Sequence, residues 1–384
     1  MNSRERVLLA LNHKEPDRVP YDLGGTVVTG IHHKSYTNWR QALGLPSREP
    51  KIIDMIQQLA QVDDDMMDML GVDMRNISPR SSASFQIVVG DMGEYTFFYD
   101  EWKIGWRSPK EGGLYYDMFD HPLRGDITVE DVDRFPLPDP LDPARFVGLR
   151  EAALRVRDVE QRAVVFGNLS AGIFEMLTWL RGYNDAYADW GESSPVALRI
   201  MDRMLQIQLA YWEKALSLVG DVIDVAQIAD DIAGQNGPLI SPRSYRKLLK
   251  PLHKELCDFI HARTNAKIFM HSCGAIRPFI PDFIEIGIDI INPVQVSSAG
   301  MDSAELKREF GKDIVFWGGG VDTQRVLGSG TPDEVRAEVR RRLNDFMPGG
   351  GFVFNTVHNI QGNVPVENLM AMWETLQEYG RYHC

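Results

Sequence analysis

Short apolar runs alternate with longer amphipathic stretches along the whole chain. Eight runs recur, each ending in a polar or glycine-rich corner: "RVPYDLGG" (18–25), "GVDMRNI" (71–77), "AVVFGNLS" (163–170), "DVIDVAQIADD" (221–231), "KIFMHSCG" (267–274), "IDIINPVQ" (288–295), "DIVFWGGGVD" (313–322) and "GFVFNTVHN" (351–359). Their apolar cores have the length of buried strands, and several are rich in Val, Ile and Phe. Helical patterns fill the spaces between. "SPRSYRKLLKPLHKELCDFIHART" (241–264) opens with Ser241 and Pro242, a capping hydroxyl followed by proline at the first helical position. "TPDEVRAEVRRRLNDFM" (331–347) opens the same way with Thr331 and Pro332, and "PVENLMAMWETLQEYGRY" (365–382) forms the last helix. Strand-like runs alternating with helices predict an α/β protein, a (β/α)8 TIM barrel. The structural competitor is an open doubly wound sheet, because periodicity alone does not decide closure. No fixed-period sequence repeat is present.

One region breaks the alternation. Residues 83–117, "ASFQIVVGDMGEYTFFYDEWKIGWRSPKEGGLYYD", have glycine corners, many aromatics and no helical stripe. They read as a β-hairpin insertion between the second and third strands of a single domain spanning 1–384. Near a barrel mouth such an insertion serves either as a lid or as a packing flap. The Pro- and Asp-rich segment 126–146 reads as a surface connection.

Composition narrows the classes. A prior of about 150 residues per domain would suggest two or three domains for 384 residues, but α/β barrels run long as one. A hydrophobic fraction of 44% supports a sizeable core that needs neither metal nor disulfide to fold. The 54 acidic residues outnumber the 41 Lys and Arg, for a net charge of −13, which argues against a nucleic-acid partner. Three widely spaced cysteines, Cys257, Cys273 and Cys384, do not make a disulfide framework and suggest a reducing compartment. The N-terminal stretch has only the short apolar run Val7–Leu11 between charges of both signs, an amphipathic helix and not a signal peptide. No run of about 18 apolar residues exists, so no membrane span is expected and the location reads as cytoplasmic.

Barrel enzymes carry their chemistry at the C-terminal ends of the strands. Those ends offer Tyr21 and Asp22, Asn168, Asp230 and Asp231, His271 and Cys273, Asn292 and Gln295, Gly318–Gly320 with Asp322, and Asn355 with His358. His271 and Cys273 are the sharpest pair. Residues i and i+2 of a strand point the same way, so imidazole and thiolate can converge on one ion. Both are good zinc ligands, and a catalytic zinc takes three protein groups and leaves one position open. The bland alternatives are a small buried cysteine and a histidine that satisfies a carbonyl. His358 and the Asp230–Asp231 pair are the further candidate ligands. Adjacent strand residues point opposite ways, so one of the two aspartates faces the pocket, as ligand or as general acid or base, while capping or an ion pair is the alternative. The glycines of "FWGGGVDT" (316–323) read as a tight turn more than a phosphate cradle, because no basic residue or extended fingerprint accompanies them. In "GNLSAGIFEMLTWLRG" (167–182), Phe174, Met176 and Trp179 read as core or pocket wall.

Several segments together resemble the uroporphyrinogen decarboxylase superfamily: "RERVLLALNHKEPDRVP", "GNLSAGIFEML", "ADDIAGQNGPLISPRSYRKLLKPLHKEL", "HSCGAIRPFIPDFIEIGIDIINPVQ" and "HNIQGNVPVENLMAMWE". They span nearly the whole chain. The resemblance implies a (β/α)8 barrel with its site at the strand C-termini, and one of two activities. One is metal-free decarboxylation of uroporphyrinogen, whose branch has an arginine-rich opening to pair with substrate carboxylates. Here "RVPYDLGGTVVTGIHHKSY" lacks that arginine set. The other is zinc-dependent methyl transfer between a small molecule and a corrinoid (cobalamin) carried by a partner protein. That branch's His-x-Cys motif is similar to His271-Ser272-Cys273, and "YDEWKIGWR" is compatible with its O-demethylase members. Thiol-methylating members add a cysteine after the last strand, where this chain has His358-Asn359. The resemblance thus implies a methyltransferase with His271, Cys273 and His358 on zinc and Asp230, Asp231, Tyr21 and Asn168 around a small-molecule methyl donor, with methoxy-aromatics among the candidates. A decarboxylase is the alternative, and a non-catalytic corrinoid- or tetrapyrrole-binding protein the second. Homo-oligomer formation is left open by the chain alone.

Overall fold

The computed structural model describes residues 1–382, so Cys384 lies outside the described residues. The second to eighth apolar runs become seven parallel strands: β1 (Met74–Ile77), β2 (Ala163–Phe166), β3 (Val225–Ala229), β4 (Lys267–His271), β5 (Ile290–Asn292), β6 (Val315–Trp317) and β7 (Phe352–Val353). Each strand pairs in parallel with the next in chain order. Every residue of β2, β5, β6 and β7 is buried, which explains why these runs are apolar throughout and do not alternate. Helices such as Pro195–Val219, Lys250–His261, Pro332–Phe346 and Val366–Tyr379 cover the outside. Thr331 caps the third of these through the amide of Glu334, with Pro332 in its first turn.

The first run differs from expectation. It forms no regular strand, only isolated bridges: a parallel one between Tyr21 and Phe354 and an antiparallel one between Arg18 and Arg381. The amide of Asp22 donates to the Phe354 carbonyl (2.9 Å), the amide of Phe354 to the Pro20 carbonyl (2.8 Å), and the amide of Asp73 to the Tyr21 carbonyl (2.9 Å). Residues 20–22 therefore join the β7 edge to the β1 edge and close the curled sheet. Pro20 has no N–H to extend a ladder, and the chain turns away at Gly24 and Gly25. Asp73, fully buried just before β1, binds this closure together. Its carboxylate accepts from the Tyr21 amide (2.9 Å), from Arg6 Nη1 (2.7 Å) and from Arg18 Nη1 (2.7 Å).

Between β1 and β2 the strands Gly90–Met92, Tyr95–Tyr99, Gly105–Pro109 and Asp117–Asp120 form a four-stranded antiparallel sheet. Residues 83–89 add no strand to it. The sheet rests on the barrel through Trp106, edge-on to Trp179 at 5.1 Å, and through the Tyr116 amide, which donates to the Ile56 carbonyl (2.8 Å). A second small antiparallel sheet pairs Ile31–His32, Leu59–Ala60 and Ile52–Asp54. Strands of two and three residues are too short to leave a period in the sequence. Among the described residues, no helix is long and apolar enough to cross a membrane.

The closing segment also buries a titratable group. Asp22 accepts from Trp317 Nε1 (2.7 Å) and from the Gly25 amide (2.7 Å), yet burial outweighs these bonds and pushes its carboxyl up to about 6. The folded chain thus holds this proton more tightly than the unfolded chain. The contribution favours folding most below about pH 4 and is lost as pH rises through about 6. A shift of this size corresponds to about 2–3 kcal/mol at most. Asp22→Asn is expected to melt closer to the unsubstituted protein, or above it, at pH 8 than at pH 5. An identical melting difference at both pH values would show that Asp22 is ionised throughout.

Candidate active site

β4 and β5 end side by side, with His271 in register with Asn292. The His271 Nδ1–H donates to Asn292 Oδ1 (2.6 Å), while Asn292 Nδ2 donates to the Trp317 carbonyl (2.9 Å), which fixes which way the amide faces. That leaves the His271 Nε2 lone pair free, and Cys273 Sγ lies 3.3 Å from it. Cys273 follows the end of the strand, so its place is set by neighbours. Its amide donates to Asp231 Oδ1 (2.8 Å), and the next amide, of Gly274, donates to Gln295 Oε1 (2.8 Å). At Gly274 φ is 89°, and a Cβ would meet the Ala233 and Gly234 carbonyl oxygens at 2.6 Å, so only glycine fits.

His358 arrives from beyond β7. Its ring centroid is 5.4 Å from that of His271, and one donor atom from each of His271, Cys273 and His358 lies within 4.8 Å of the others. The backbone at His358 has φ 90°, a strained conformation for a residue with a side chain, of the kind that persists where packing or function holds it. Burial, with His271 adding, holds the His358 imidazole down to about 3, so it is neutral and ready to donate a lone pair. Burial first, then Asp231 and Glu175, pushes the Cys273 thiol well above its ordinary range. Two imidazoles and a sulfur, one imidazole oriented by an amide behind it, suit a zinc ion with an open position. A bound cation would reverse the thiol's shift and hold it as thiolate.

The two aspartates after β3 divide the work. Asp230 faces away from the three donors. Its oxygens accept the Phe174 amide (3.0 Å) and the Glu175 amide (2.8 Å), and His253 Nε2 lies 2.8 Å from it. It caps the helix Ile173–Arg181, so the capping alternative describes Asp230. Asp231 is the aspartate on the Cys273 side. Beside it sits Glu175, a residue the strand-end survey passes over because it lies on a helix. Burial, then Asp231 and Asp230, raises its carboxyl well above its ordinary value. Its one sequence signal is its place three residues after Gly172, the position of a capping glutamate.

Tyr21 is buried in the closing segment, and its hydroxyl has no partner among the described residues. Asn168 turns back on its own loop, where Nδ2 donates to the Ser170 carbonyl. Neither is brought into contact with the three donors by any hydrogen bond among the described residues. The Gly318 and Gly320 amides donate to the Val353 and Asn355 carbonyls (3.0 and 2.9 Å), so they belong to the sheet and not to a phosphate cradle. From the antiparallel insertion comes Tyr115, whose phenol is pushed up to about 12 by burial and by the nearby Cys273. A cavity of about 260 Å³ opens beside Cys273 and His358, with Gln235, Gln295, Thr323 and Gln324 in its wall.

Comparison with known proteins agrees with this architecture. A uroporphyrinogen decarboxylase from Alkalilimnicola ehrlichii is 24% identical over 274 residues, covering 69% of this chain and 70% of the relative. One from Pseudoalteromonas translucida is 26% identical, over 71% and 75%. A methyltransferase from Methanosarcina mazei superposes over 99% of both chains with a TM-score of 0.65 at 20% identity, a likeness of fold. The family model "Uroporphyrinogen decarboxylase (URO-D)" matches residues 119–379, from the last strand of the insertion through the final helix and across the site residues from Asn168 to His358. With a parallel barrel, strand-end chemistry and that match, the chain belongs to the uroporphyrinogen decarboxylase family.

Proposed function

We propose that the chain is a zinc-dependent methyltransferase that moves a methyl group from a small methylated molecule, such as a methoxy-aromatic, to a corrinoid carried by a partner protein. The observation that carries this reading is the convergence of His271, Cys273 and His358 at the strand ends. The likeness of fold to a methyltransferase supports it. His271, Cys273 and His358 would hold the ion, and Asn292 would keep His271 in the ligating tautomer. Zinc supplies Lewis acidity toward the oxygen that bears the methyl group. Asp231 lies on the donor side of the site, and burial raises the affinity of Glu175 beside it for a proton. As the methyl carbon leaves, its bonding pair stays on oxygen, and that oxygen takes the proton from the Glu175–Asp231 pair. A cobalt(I) corrinoid on the partner protein, as the methyl acceptor, would supply the electron pair of the new carbon bond.

The decarboxylase reading draws support from the names of the relatives. Against it, the cavity wall contains no Lys or Arg to pair with substrate carboxylates. The test is spectrophotometric. Zinc-loaded protein is mixed with cobalt(I) corrinoid and a panel of methyl donors, and methyl-cobalt absorbance is followed. Methyl-cobalt formation that needs both donor and zinc is expected. Folded, zinc-loaded protein that is inert toward every donor but releases carbon dioxide from a carboxylated substrate would establish the decarboxylase instead. Binding without turnover in either assay would leave a corrinoid- or tetrapyrrole-binding protein.

A further inference from the structure

Behind Glu175 and Asp231 lies a buried chain of polar groups that the methyl-transfer step does not use. Its first member is placed by an irregular helix. After Ser241 and Pro242 the helix widens, and the Lys250 amide reaches back five residues to the Tyr245 carbonyl. Pro251 follows at once, a residue with no N–H to offer and a ring that crowds the carbonyl four residues back. At 3.6 residues per turn, side chains eight apart would point about 80° away from each other, whereas a widened turn absorbs one residue and brings them within about 20°. Tyr245 and His253 thus share a face, and both are buried, as is Asp230. The Tyr245 ring is held edge-on by Phe279 (5.2 Å) and Phe283 (6.0 Å).

The hydrogen bonds along this chain have one consistent direction. His253 Nε2 lies 2.8 Å from Asp230 Oδ2 and donates to it, because a carboxylate only accepts. The Tyr245 hydroxyl lies 3.3 Å from His253 Nδ1 and has no other partner among the described residues, so it donates there. A hydrogen on Nδ1 would leave that buried hydroxyl proton unpaired. Asp230 hands the constraint to the next helix. Its oxygens accept the Phe174 and Glu175 amides (3.0 and 2.8 Å). Gly172 presses so closely on it that a Cβ would meet the Ala229 carbonyl oxygen at 2.2 Å and Asp230 Cγ at 2.3 Å. Glu175, whose amide is held in this way, turns Oε2 back toward the Gly172 amide (3.4 Å).

We infer that His253, fixed by Tyr245, is a positioning residue: through Asp230 it holds the start of the helix Ile173–Arg181 and, with it, the carboxyl of Glu175. The inference rests on the proposed methyl transfer for the use of that carboxyl, so one measurement reads activity and another reads position alone. In zinc-loaded protein, His253→Leu is expected to lower kcat at least ~30-fold, a part of what a placed acid contributes, with KM for the methyl donor and zinc content unchanged. His253→Gln, which keeps an N–H toward Asp230, is expected to restore most of the rate. Tyr245→Phe keeps the ring packing, loses only the hydroxyl, and is expected to lower kcat at least ~3-fold; it carries the test if His253→Leu does not fold. Hydrogen exchange at the Phe174 and Glu175 amides is expected to quicken at least ~10-fold in His253→Leu and not in His253→Gln. An unchanged kcat in His253→Leu or, where that variant does not fold, in Tyr245→Phe would overturn the inference. So would equal loss in the Leu and Gln variants, which would make His253 a packing residue, or a loss of rate that only follows loss of zinc. If the unsubstituted protein transfers no methyl group, the proposed reaction fails and the exchange measurement decides alone: faster exchange leaves the coupling of His253 to Glu175 standing, and unchanged exchange overturns it.

Discussion

Cys273→Ala is expected to strip the site of zinc and to lower methyl transfer at least ~1000-fold, because a catalytic zinc with three protein donors cannot spare one. His271→Ala should behave alike. The more discriminating substitution is His358→Gly. It removes the third donor and also relieves the φ of 90° at this position, so lost zinc could not be attributed to added backbone strain. His358→Cys should retain zinc, since a thiolate replaces the imidazole as donor. Metal analysis of purified protein, before and after dialysis against a chelator, reads all four variants. Stoichiometric zinc in His358→Gly would move the third bond to another group, with Asp231 the nearest carboxylate to Cys273 by hydrogen bonding. Failure of Cys273→Ala to lose metal would falsify the centre altogether.

Asp73→Ala is expected to destabilise the fold by about 3–5 kcal/mol, the cost of removing one partner from a buried charge network. Arg6, nearly buried, would keep Asp17 as its acidic partner, and Arg18 would lose both its bonds to the carboxylate. The Tyr21 amide would lose its acceptor as well, and that amide belongs to the segment that closes the barrel. The consequence reaches beyond stability, because Asp22 and Trp317 share a hydrogen bond on the inside of that segment, and the Trp317 carbonyl holds Asn292. Loosened closure is therefore expected to weaken the second support of His271 and to lower zinc affinity before the chain unfolds. Urea denaturation monitored by Trp fluorescence measures the first effect, and zinc retention in the folded baseline measures the second. A loss below about 1 kcal/mol would mean that Arg6 and Arg18 find other partners and that backbone bonds alone close the barrel.

What was legible in the chain was what short-range periodicity encodes. A strand repeats every two residues, so the period pointed to a shared side for His271 and Cys273 and to opposite sides for Asp230 and Asp231, although Cys273 and both aspartates lie just past their strands and are placed by neighbours. Buried strands are apolar on both faces, so seven runs stood out from the helices between them. Local rules did not say which aspartate turns inward. That was decided by the N-terminus of the helix Ile173–Arg181, whose free amides claim Asp230 and leave Asp231 to Cys273. Glu175 escaped notice for the same reason. Its carboxyl is raised by burial and by two aspartates from another part of the chain, and no neighbour in sequence announces either.

By itself, then, the order of residues determined an α/β alternation of buried strands and helices and put a nitrogen and a sulfur donor close together where one strand ends, because both follow from short-range pattern. Only the tertiary structure brought His358 to them, oriented His271 through Asn292, and closed the sheet through residues 20–22 around Asp73. Those contacts join strands far apart in the chain, and their geometry comes from packing, which no local pattern carries.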